Sequence, residues 1–272
     1  MKAERTWLTG WPARVFSAAL VLSPFSATAQ PAAGGAACVP QSRFAAAVKS
    51  ISDGRSFVLD DGREIVLPAI ETPGAWARDA LPALIGDQPV IVEPLSAQPD
   101  RYGRLQAKAF LVRGGTARSL EADLVGYGAA MVGISGGGAQ RGADRCWPAL
   151  LAAEKKARAA ALGLWNDPDY DTKAADNPAA ILGARGRFAI IEGKVLSVRE
   201  TGGTIYVNFG RRWSEDFTVT ILKRIGARFA AAGLEPKRLE DRWVRVRGFV
   251  EERGGPWIEA TAPEQIEIAD RR

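Results

Sequence analysis

Carboxylates and arginines of the kind that act on phosphodiesters fall into two short stretches of the chain. The first, 52–74, carries Asp53 at a turn and Glu71 at the end of a strand pattern. The second, 100–104, reads D-R-Y-G-R. Carboxylate oxygens are the usual ligands of Ca²⁺, and arginine stabilises charge that develops on a phosphate. These residue types therefore point to a site that binds or cleaves a phosphodiester.

Two hairpin strands must position the first of these stretches. Phe57 and Leu59 alternate with other residues before a D-D-G turn at 60–62, and Ile65 and Leu67 follow it in the same way. This pattern predicts a β-hairpin. The other elements predicted up to residue 165 are strands at 44–50, 89–94 and 105–112 and helices at 74–86, 119–127 and 148–162.

Composition excludes several kinds of chemistry. The 272 residues are 47% hydrophobic and 25% charged, which is typical of a globular chain long enough for two small domains. There is no histidine, so His-ligated zinc, a Ser-His-Asp triad and an imidazole base are all excluded. The net charge of +5 is too small to indicate nucleic-acid binding by itself.

The N-terminus has the pattern of a secretory signal peptide at 1–29. Basic residues precede an apolar run at 15–22, and A-T-A at 27–29 is a small-x-small cleavage site. The alternative is a membrane anchor, but the apolar run is shorter than the ~20 residues needed to span a bilayer. We expect a secreted or periplasmic protein without a membrane span after cleavage, and a disordered N-terminal lead within 30–42.

The chain has two cysteines, Cys38 and Cys146. In an oxidising compartment a disulfide between them is favoured over two unpaired buried thiols. Closing a loop of this size contributes up to about 4–5 kcal/mol in the chain-entropy description of disulfides. We therefore predict a Cys38–Cys146 bridge.

The layout from 43 to 165 resembles the staphylococcal nuclease (thermonuclease-like) family. The family pattern is D-G-D-T, an R-L strand, D-T-P-E and D-x-Y-G-R, and the helical ending A-R-A-A-A-L-G-L-W at 157–165 also agrees with it. The resemblance implies a five-stranded OB-type barrel with helices. It also implies cleavage of DNA and RNA with one Ca²⁺, held by two aspartates and a threonine carbonyl.

Several positions in the calcium and catalytic set differ from that pattern. Arg55 stands where the first metal aspartate belongs, and Glu71 replaces the second, while Thr72 matches. Val66 occupies the position of one phosphate arginine, and Gly74 that of the glutamate that aligns water. We therefore predict that no cofactor binds and that the calcium site is lost.

A guanidinium in the former metal position has a natural partner. We predict an ion pair between Arg55 and Glu71 through two parallel hydrogen bonds, with Asp53 as a second candidate partner. The alternative is that Arg55 points into solvent.

The last motif keeps its arginine. Arg104 matches the second phosphate arginine and is the candidate residual catalytic residue, and Tyr102 is a candidate nucleic-acid contact. The alternative is that Arg104 is only a surface cation or a structural partner of Asp100. The run at 131–138 is rich in glycine and lacks the tyrosines that the family packs on the nucleotide.

A second barrel is predicted at 186–269, after a linker at 166–185 that has no periodic pattern. Its predicted order of strand-strand-strand-helix-strand-strand is that of the OB fold. The fold class is thus mainly β with helices, with two OB-type five-stranded barrels in tandem. The predicted strands are 188–198, 204–210, 216–222, 243–251 and 256–268, with a helix at 223–233.

Aromatic and basic residues alternate outward on two strands of this second barrel. Tyr206, Trp243, Arg245 and Arg247 are the candidate contacts to single-stranded nucleic acid. The alternative is that Trp243 and Tyr206 close the barrel or pack on the first domain.

The sequence as a whole favours an exported thermonuclease-like protein without catalysis that binds nucleic acid, single-stranded in particular, or a periplasmic protein. One alternative is a weak or metal-independent phosphodiesterase that uses Arg104. Another is a structural envelope protein without a ligand.

Overall fold

A computed structural model describes residues 38–41, 43–73, 76–134, 145–212 and 214–269. The predicted signal peptide, most of the predicted lead, Gly74 and residues 135–138 of the glycine-rich run lie outside these residues. The strands are β1 (Phe44–Ala46), β2 (Val48–Ile51), β3 (Ser56–Leu59), β4 (Glu64–Val66), β5 (Ile70–Glu71), β6 (Val90–Pro94), β7 (Leu105–Arg113), β8 (Thr116–Ser119), β9 (Met131–Val132), β10 (Lys173–Ala174), β11 (Phe188–Lys194), β12 (Ser197–Thr201), β13 (Thr204–Asn208), β14 (Thr218–Leu222), β15 (Trp243–Phe249), β16 (Glu251–Arg253), β17 (Gly255–Glu259) and β18 (Ile266–Ile268). The helices are α1 (Trp76–Ile85), α2 (Leu120–Gly126), α3 (Trp147–Ala159), α4 (Pro178–Leu182) and α5 (Lys223–Ala231).

The first sheet is built around the predicted hairpin. Its strand order is β1-β6-β7-β4-β3-β2, with β8 paired to β7. Phe57, Leu59 and Ile65 are fully buried because the alternation of β3 and β4 turns them into the core. The turn between these strands needs a glycine, since Gly62 has a φ of 86°. The parallel pairing of β4 with β7 then brings the chain that follows Arg104 beside the hairpin.

Three helices cover this sheet. Ser119 caps α2, where its hydroxyl oxygen accepts a hydrogen bond from the Ala122 N–H. Pro82 lies inside α1 without ending it. The missing N–H removes one hydrogen bond, while Leu81 and Ile85 are buried in the core and hold the helix in place.

After α3 the chain packs closely against the turn that follows α2, through the backbones of Gly163 and Gly128. Gly163 has a φ of 55° and follows the helix, and a Cβ added there would lie 2.4 Å from the carbonyl oxygen of Gly128. The Leu164 N–H donates to that same oxygen at 2.9 Å. Only glycine allows this approach, so the turn after α2 is fastened to the end of α3.

The predicted disulfide is confirmed. Cys38 and Cys146 are bonded, with their Cα atoms 4.6 Å apart. Beside them, Glu93 Oε2 accepts hydrogen bonds from the Gln41 N–H at 2.9 Å and from Arg145 Nη2 at 2.6 Å. The bridge and these bonds anchor the start of the described chain to the start of α3.

The remainder of the chain forms two further sheets around a second core. One runs β10-β11-β15-β18 and the other β12-β13-β14-β17-β16. The predicted strands 188–198 and 256–268 are each divided in two, the second by a 3-10 turn at Pro263–Gln265. The mainly β fold class with helices is confirmed, and the sheets are not closed by strand pairing.

The segment 166–185, predicted as a linker without a periodic pattern, has regular secondary structure. It contains a 3-10 turn at Pro168–Tyr170, then β10, which pairs in parallel with β11, and α4. Ala175 and Ile181 are buried in the second core. All described residues belong to one compact unit, Gly35–Arg272. The division into two domains at this segment stays a prediction.

Candidate functional site

A tight turn before β3 presents Arg55. Asp53 Oδ1 accepts a hydrogen bond from the Arg55 N–H at 2.8 Å, which is a typical Asx turn. Burial acts to raise the pKa of Asp53, but hydrogen bonds from Ser56 and from the Arg55 backbone outweigh it and lower the pKa below its ordinary value. The Leu67 N–H then donates to the Arg55 carbonyl at 2.8 Å. The turn is thereby fixed against the end of the hairpin.

Glu71 lies opposite this turn on β5. It pairs with Met131 of β9 and is buried. Gly133 packs directly on its side chain, since a Cβ there would lie 2.4 Å from Glu71 Cγ. A small residue at 133 therefore leaves room for the glutamate, which is one methylene longer than aspartate.

Arg55 and Glu71 meet as an ion pair. Arg55 Nη1 lies 3.8 Å from Glu71 Oε2, and the two side chains are 25% and 11% exposed. The same nitrogen donates a hydrogen bond to the Ile70 carbonyl at 3.0 Å. The pair thus differs from the predicted arrangement of two parallel hydrogen bonds, because the backbone of β5 takes the donor that the carboxylate was expected to use. Asp53 keeps its role in the turn.

Two neighbouring positions of the family pattern lie in the described part of the chain. Val66 is buried in β4, and Thr72 follows β5 with a half-buried side chain. Among the residues that the structure describes, no cluster of three Cys, Asp or Glu side chains could hold a metal ion.

Arg104 is engaged by Asp100. Its Nε and Nη2 atoms lie 3.1 and 2.9 Å from Asp100 Oδ2, and its backbone N–H donates to Oδ1 at 3.0 Å. Burial opposes ionisation of Asp100, but the hydrogen bonds from Arg104 and from the Tyr102 N–H outweigh it and lower its pKa. Arg104 therefore has the structural partner that the sequence offered as an alternative. The structure brings the candidate residues together in two separate ion pairs.

Tyr102 is the exposed part of that loop. Its side chain is 64% exposed, and the guanidinium carbons of Arg101 and Arg104 lie 4.7 and 5.0 Å from its ring centre. An aromatic ring between two cations is accessible to a ligand, and it stays a candidate contact.

Arg247 is placed very differently from the prediction. It is fully buried, and Nη1 donates to the Val132 carbonyl at 2.8 Å and to Glu154 Oε2 at 3.1 Å. Glu267 contacts its Nη2. Alternation along β15 correctly predicted that Arg247 lies on the face opposite Val244 and Val246. That face is covered by α3 and β9, which carry Glu154 and Val132. The prediction that Arg247 contacts nucleic acid is therefore wrong, because its side chain is fully buried.

Arg245 is also neutralised. It pairs with Glu192 at 2.6 Å and with Glu267 at 3.3 Å, and it is 16% exposed. Together with Arg158 it lines a cleft of about 860 Å³ beside α3. Because these cations already face carboxylates, the cleft offers little net charge to an anion. Trp243, at the start of β15, is half-buried.

Tyr206 lies in a second cavity, of about 660 Å³, on the outer face of the sheet that contains β13. Its ring meets the ring of Trp257 edge to face, with 6.0 Å between the centres. Sequence reasoning found Tyr206 through its alternation, but it missed Trp257, Arg199 and Arg211, which line the same cavity. The signal for Arg199 was available, since β12 pairs with β13. Trp257 depends on the parallel pairing of β14 with β17, which no local pattern indicates.

None of the helices in the described ranges combines the length and the apolar character needed to cross a bilayer. A search of the curated proteins found no match. The family model described as staphylococcal nuclease homologue matches residues 64–167. This range holds Glu71, Thr72 and the Asp100–Arg104 loop, the features that carried the resemblance in the sequence. Through it, the chain carries a domain of the staphylococcal nuclease family.

Proposed function

We propose that this is an exported nucleic-acid-binding protein whose nuclease-type domain no longer performs calcium-dependent cleavage. The observation that carries the proposal is the Arg55 guanidinium 3.8 Å from Glu71. A positive charge occupies the place where the family pattern puts a carboxylate ligand, and it is held there by the carbonyl of Ile70.

Electrostatics makes calcium binding at this place unfavourable. Two unit charges ~4 Å apart interact by ~4 kcal/mol at an effective dielectric constant of 20, and a divalent ion doubles this. Replacing an attractive aspartate with a repulsive arginine therefore opposes Ca²⁺ by several kcal/mol even after solvent screening. The buried Val66 offers no donor to a phosphate in place of the family arginine, and losing one such donor typically costs ~10²–10³ in rate.

A nuclease assay tests the loss of cleavage. Purified protein is incubated with single-stranded DNA and RNA, with Ca²⁺ and with a chelator. We expect no chelator-sensitive cleavage. Turnover that Ca²⁺ restores and a chelator abolishes would refute the proposal.

The variant Arg55→Asp separates the metal site from the catalytic residues. It should gain Ca²⁺ binding by calorimetry and yet remain inactive, because Val66 and Gly74 are unchanged. The matched control is Arg63→Asp. Arg63 is an exposed arginine in the turn between β3 and β4, where it pairs with Asp61. Calcium binding by the control variant as well would show that the effect is one of net charge.

Binding is tested separately from cleavage. Affinity for a labelled single strand should fall as salt rises, because each phosphate contact releases counterions. No binding at low salt would leave the alternative of a structural protein.

Export forms part of the same proposal. Protein expressed with its own N-terminus should begin at Gln30 when recovered outside the cytoplasm, as read by mass spectrometry.

Arg104 is the basis of the runner-up, a metal-independent phosphodiesterase. Its two hydrogen bonds to Asp100 hold it in a fixed orientation with 29% of the side chain exposed. Cleavage that resists chelator and disappears in Arg104→Lys would favour this activity over pure binding.

A further inference from the structure

The outer face of the sheet formed by β12, β13, β14 and β17 carries polar, aromatic and basic side chains around a cavity. Its inner side packs into the second core through Val207, Val219 and Ile258. The pairing register places a different set of side chains outward. Two rows cross the strands, Ser197–Asn208–Thr218–Trp257 and Arg199–Tyr206–Thr220.

These rows form a groove with a polar floor. Asn208 and Thr218 are buried at its base, and the Thr218 hydroxyl lies 3.4 Å from Asn208 Oδ1. Asn208 Nδ2 lies 3.4 Å from the Ser197 hydroxyl. The cavity above them measures about 660 Å³. An amide and hydroxyls at the base can exchange hydrogen bonds with the edge of a planar heterocycle.

The wall of the groove is aromatic. Tyr206 and Trp257 meet at 81° with their ring centres 6.0 Å apart, and both side chains are half-buried. The Arg253 guanidinium lies 5.1 Å from the Trp257 ring. Rings held by their neighbours in this way give a base a surface for stacking with little loss of side-chain freedom.

The rim of the groove is basic. Arg199, opposite Tyr206 on the neighbouring strand, and Arg211 are exposed, and neither forms an ion pair within the described part of the chain. No Asp or Glu is among the described residues that line the groove. Of the acidic side chains near this face, Glu251 and Glu259 are engaged by Arg253, and Asp216, which packs against Gly210, accepts a hydrogen bond from the Arg212 N–H at 2.7 Å. The charges of Arg199 and Arg211 are therefore available to a ligand, whereas those of Arg245 and Arg247 are paired with carboxylates.

We propose that this groove is the site at which the protein binds single-stranded nucleic acid. A base stacks on the Tyr206–Trp257 pair, its edge faces Asn208 and Thr218, and the flanking phosphates contact Arg199 and Arg211. The inference rests on the proposed function and names the site of binding. A duplex does not fit, because its bases are already stacked and paired.

Fluorescence anisotropy with a labelled dT12 strand tests the site. Tyr206→Ala should weaken binding about 5- to 150-fold, the effect of losing one stacked base. Arg199→Ala and Arg211→Ala, both at exposed positions, should each weaken binding and reduce the salt slope by about 0.7 per lost phosphate contact. The matched control is Arg228→Ala, an exposed arginine of α5 that does not line the groove. It should leave the affinity unchanged.

Thermal melting of each variant separates loss of binding from loss of folding, and the two arginine variants keep the test decisive if Tyr206→Ala unfolds. Binding of dT12 by the wild type that all three groove variants retain would overturn this site and leave the proposed function intact. No binding of dT12 by the wild type would overturn both. Equal affinity for a 12-base-pair duplex would overturn the preference for a single strand. If dTMP displaced the labelled strand at the same concentration as unlabelled dT12, the result would also overturn the preference for a single strand and would assign the groove to a free nucleotide.

Discussion

Replacing Arg247 with methionine should strongly destabilise the protein. Arg247 and Glu154 are both fully buried, and Glu267 is 22% exposed. Burial acts to lower the pKa of Arg247, but the two carboxylates outweigh it and raise the pKa above its ordinary value. The cation therefore stays charged at every pH at which the protein is handled. Its removal strands the fully buried Glu154, whose remaining cationic partner is Arg158 at 4.0 Å.

The magnitude follows from that stranded carboxylate. Breaking a buried ion pair from one side costs about 3–5 kcal/mol, and the lost bond to the Val132 carbonyl adds about 1 kcal/mol. For a chain of this size each kcal/mol lowers the melting temperature by about 2–4 °C, so we expect a fall of roughly 8–24 °C. Urea unfolding followed by circular dichroism measures the free energy of unfolding directly.

Two companion variants test the reasoning. The double variant Arg247→Met with Glu154→Gln should recover much of the loss, because the fully buried carboxylate is then removed as well. Arg253→Met, which breaks a half-exposed pair with Glu251, should cost only about 0–1 kcal/mol. A loss for Arg247→Met no greater than that of Arg253→Met would refute the argument. Strictly additive losses in the double variant would refute it as well.

Two other perturbations have equally definite outcomes. Gly163→Ala should lower the free energy of unfolding by more than about 2 kcal/mol, measured by thermal melting, because the alanine would have a positive φ and would also clash with Gly128. The control Gly202→Ala, at a φ of 60° with open space around it, should lower it by only about 1–2 kcal/mol. The hydrogen bonds from Arg104 and Tyr102 hold the folded-state pKa of Asp100 below its ordinary value of 3.8, so its ionised form stabilises the fold above that pH. This contribution is lost as the pH falls through the folded pKa. Asp100→Asn should therefore flatten the acid side of the stability profile measured by urea unfolding, and an unchanged slope would contradict the pairing with Arg104.

Local signals predicted much of the fold. The D-D-G turn at 60–62 acts within a few residues and lies where the sequence placed it, and the helix predicted from 119 begins beside Ser119. The disulfide was predictable because only two cysteines are present. Long-range partners were not. The burial of Arg247 depends on Glu154 of a distant helix, and no pattern on β15 records that helix.

The candidate site divides in the same way. The contact of Arg55 with Glu71 followed from two motifs that the hairpin brings together. Its geometry did not, since the Ile70 carbonyl competes for the same donor. The sequence indicated only part of the groove at Tyr206, because Trp257 reaches it through a pairing between strands that are separated by a helix and two further strands. Likewise, 166–185 looked unstructured because β10 and α4 are too short to show a period.

The Cys38–Cys146 bridge determines how the molecule would respond to mechanical force. A pull on the two ends of the described chain passes across the bridge from residue 38 to residue 146, so the chain between them, a sequence separation of 108, carries no load. That segment contains every strand from β1 to β9. Its hidden contour is about 360–390 Å at 3.3–3.6 Å per residue. Stretched under oxidising conditions, the molecule would extend only through the residues that follow 146, and the nuclease-type sheet would come under tension only after reduction.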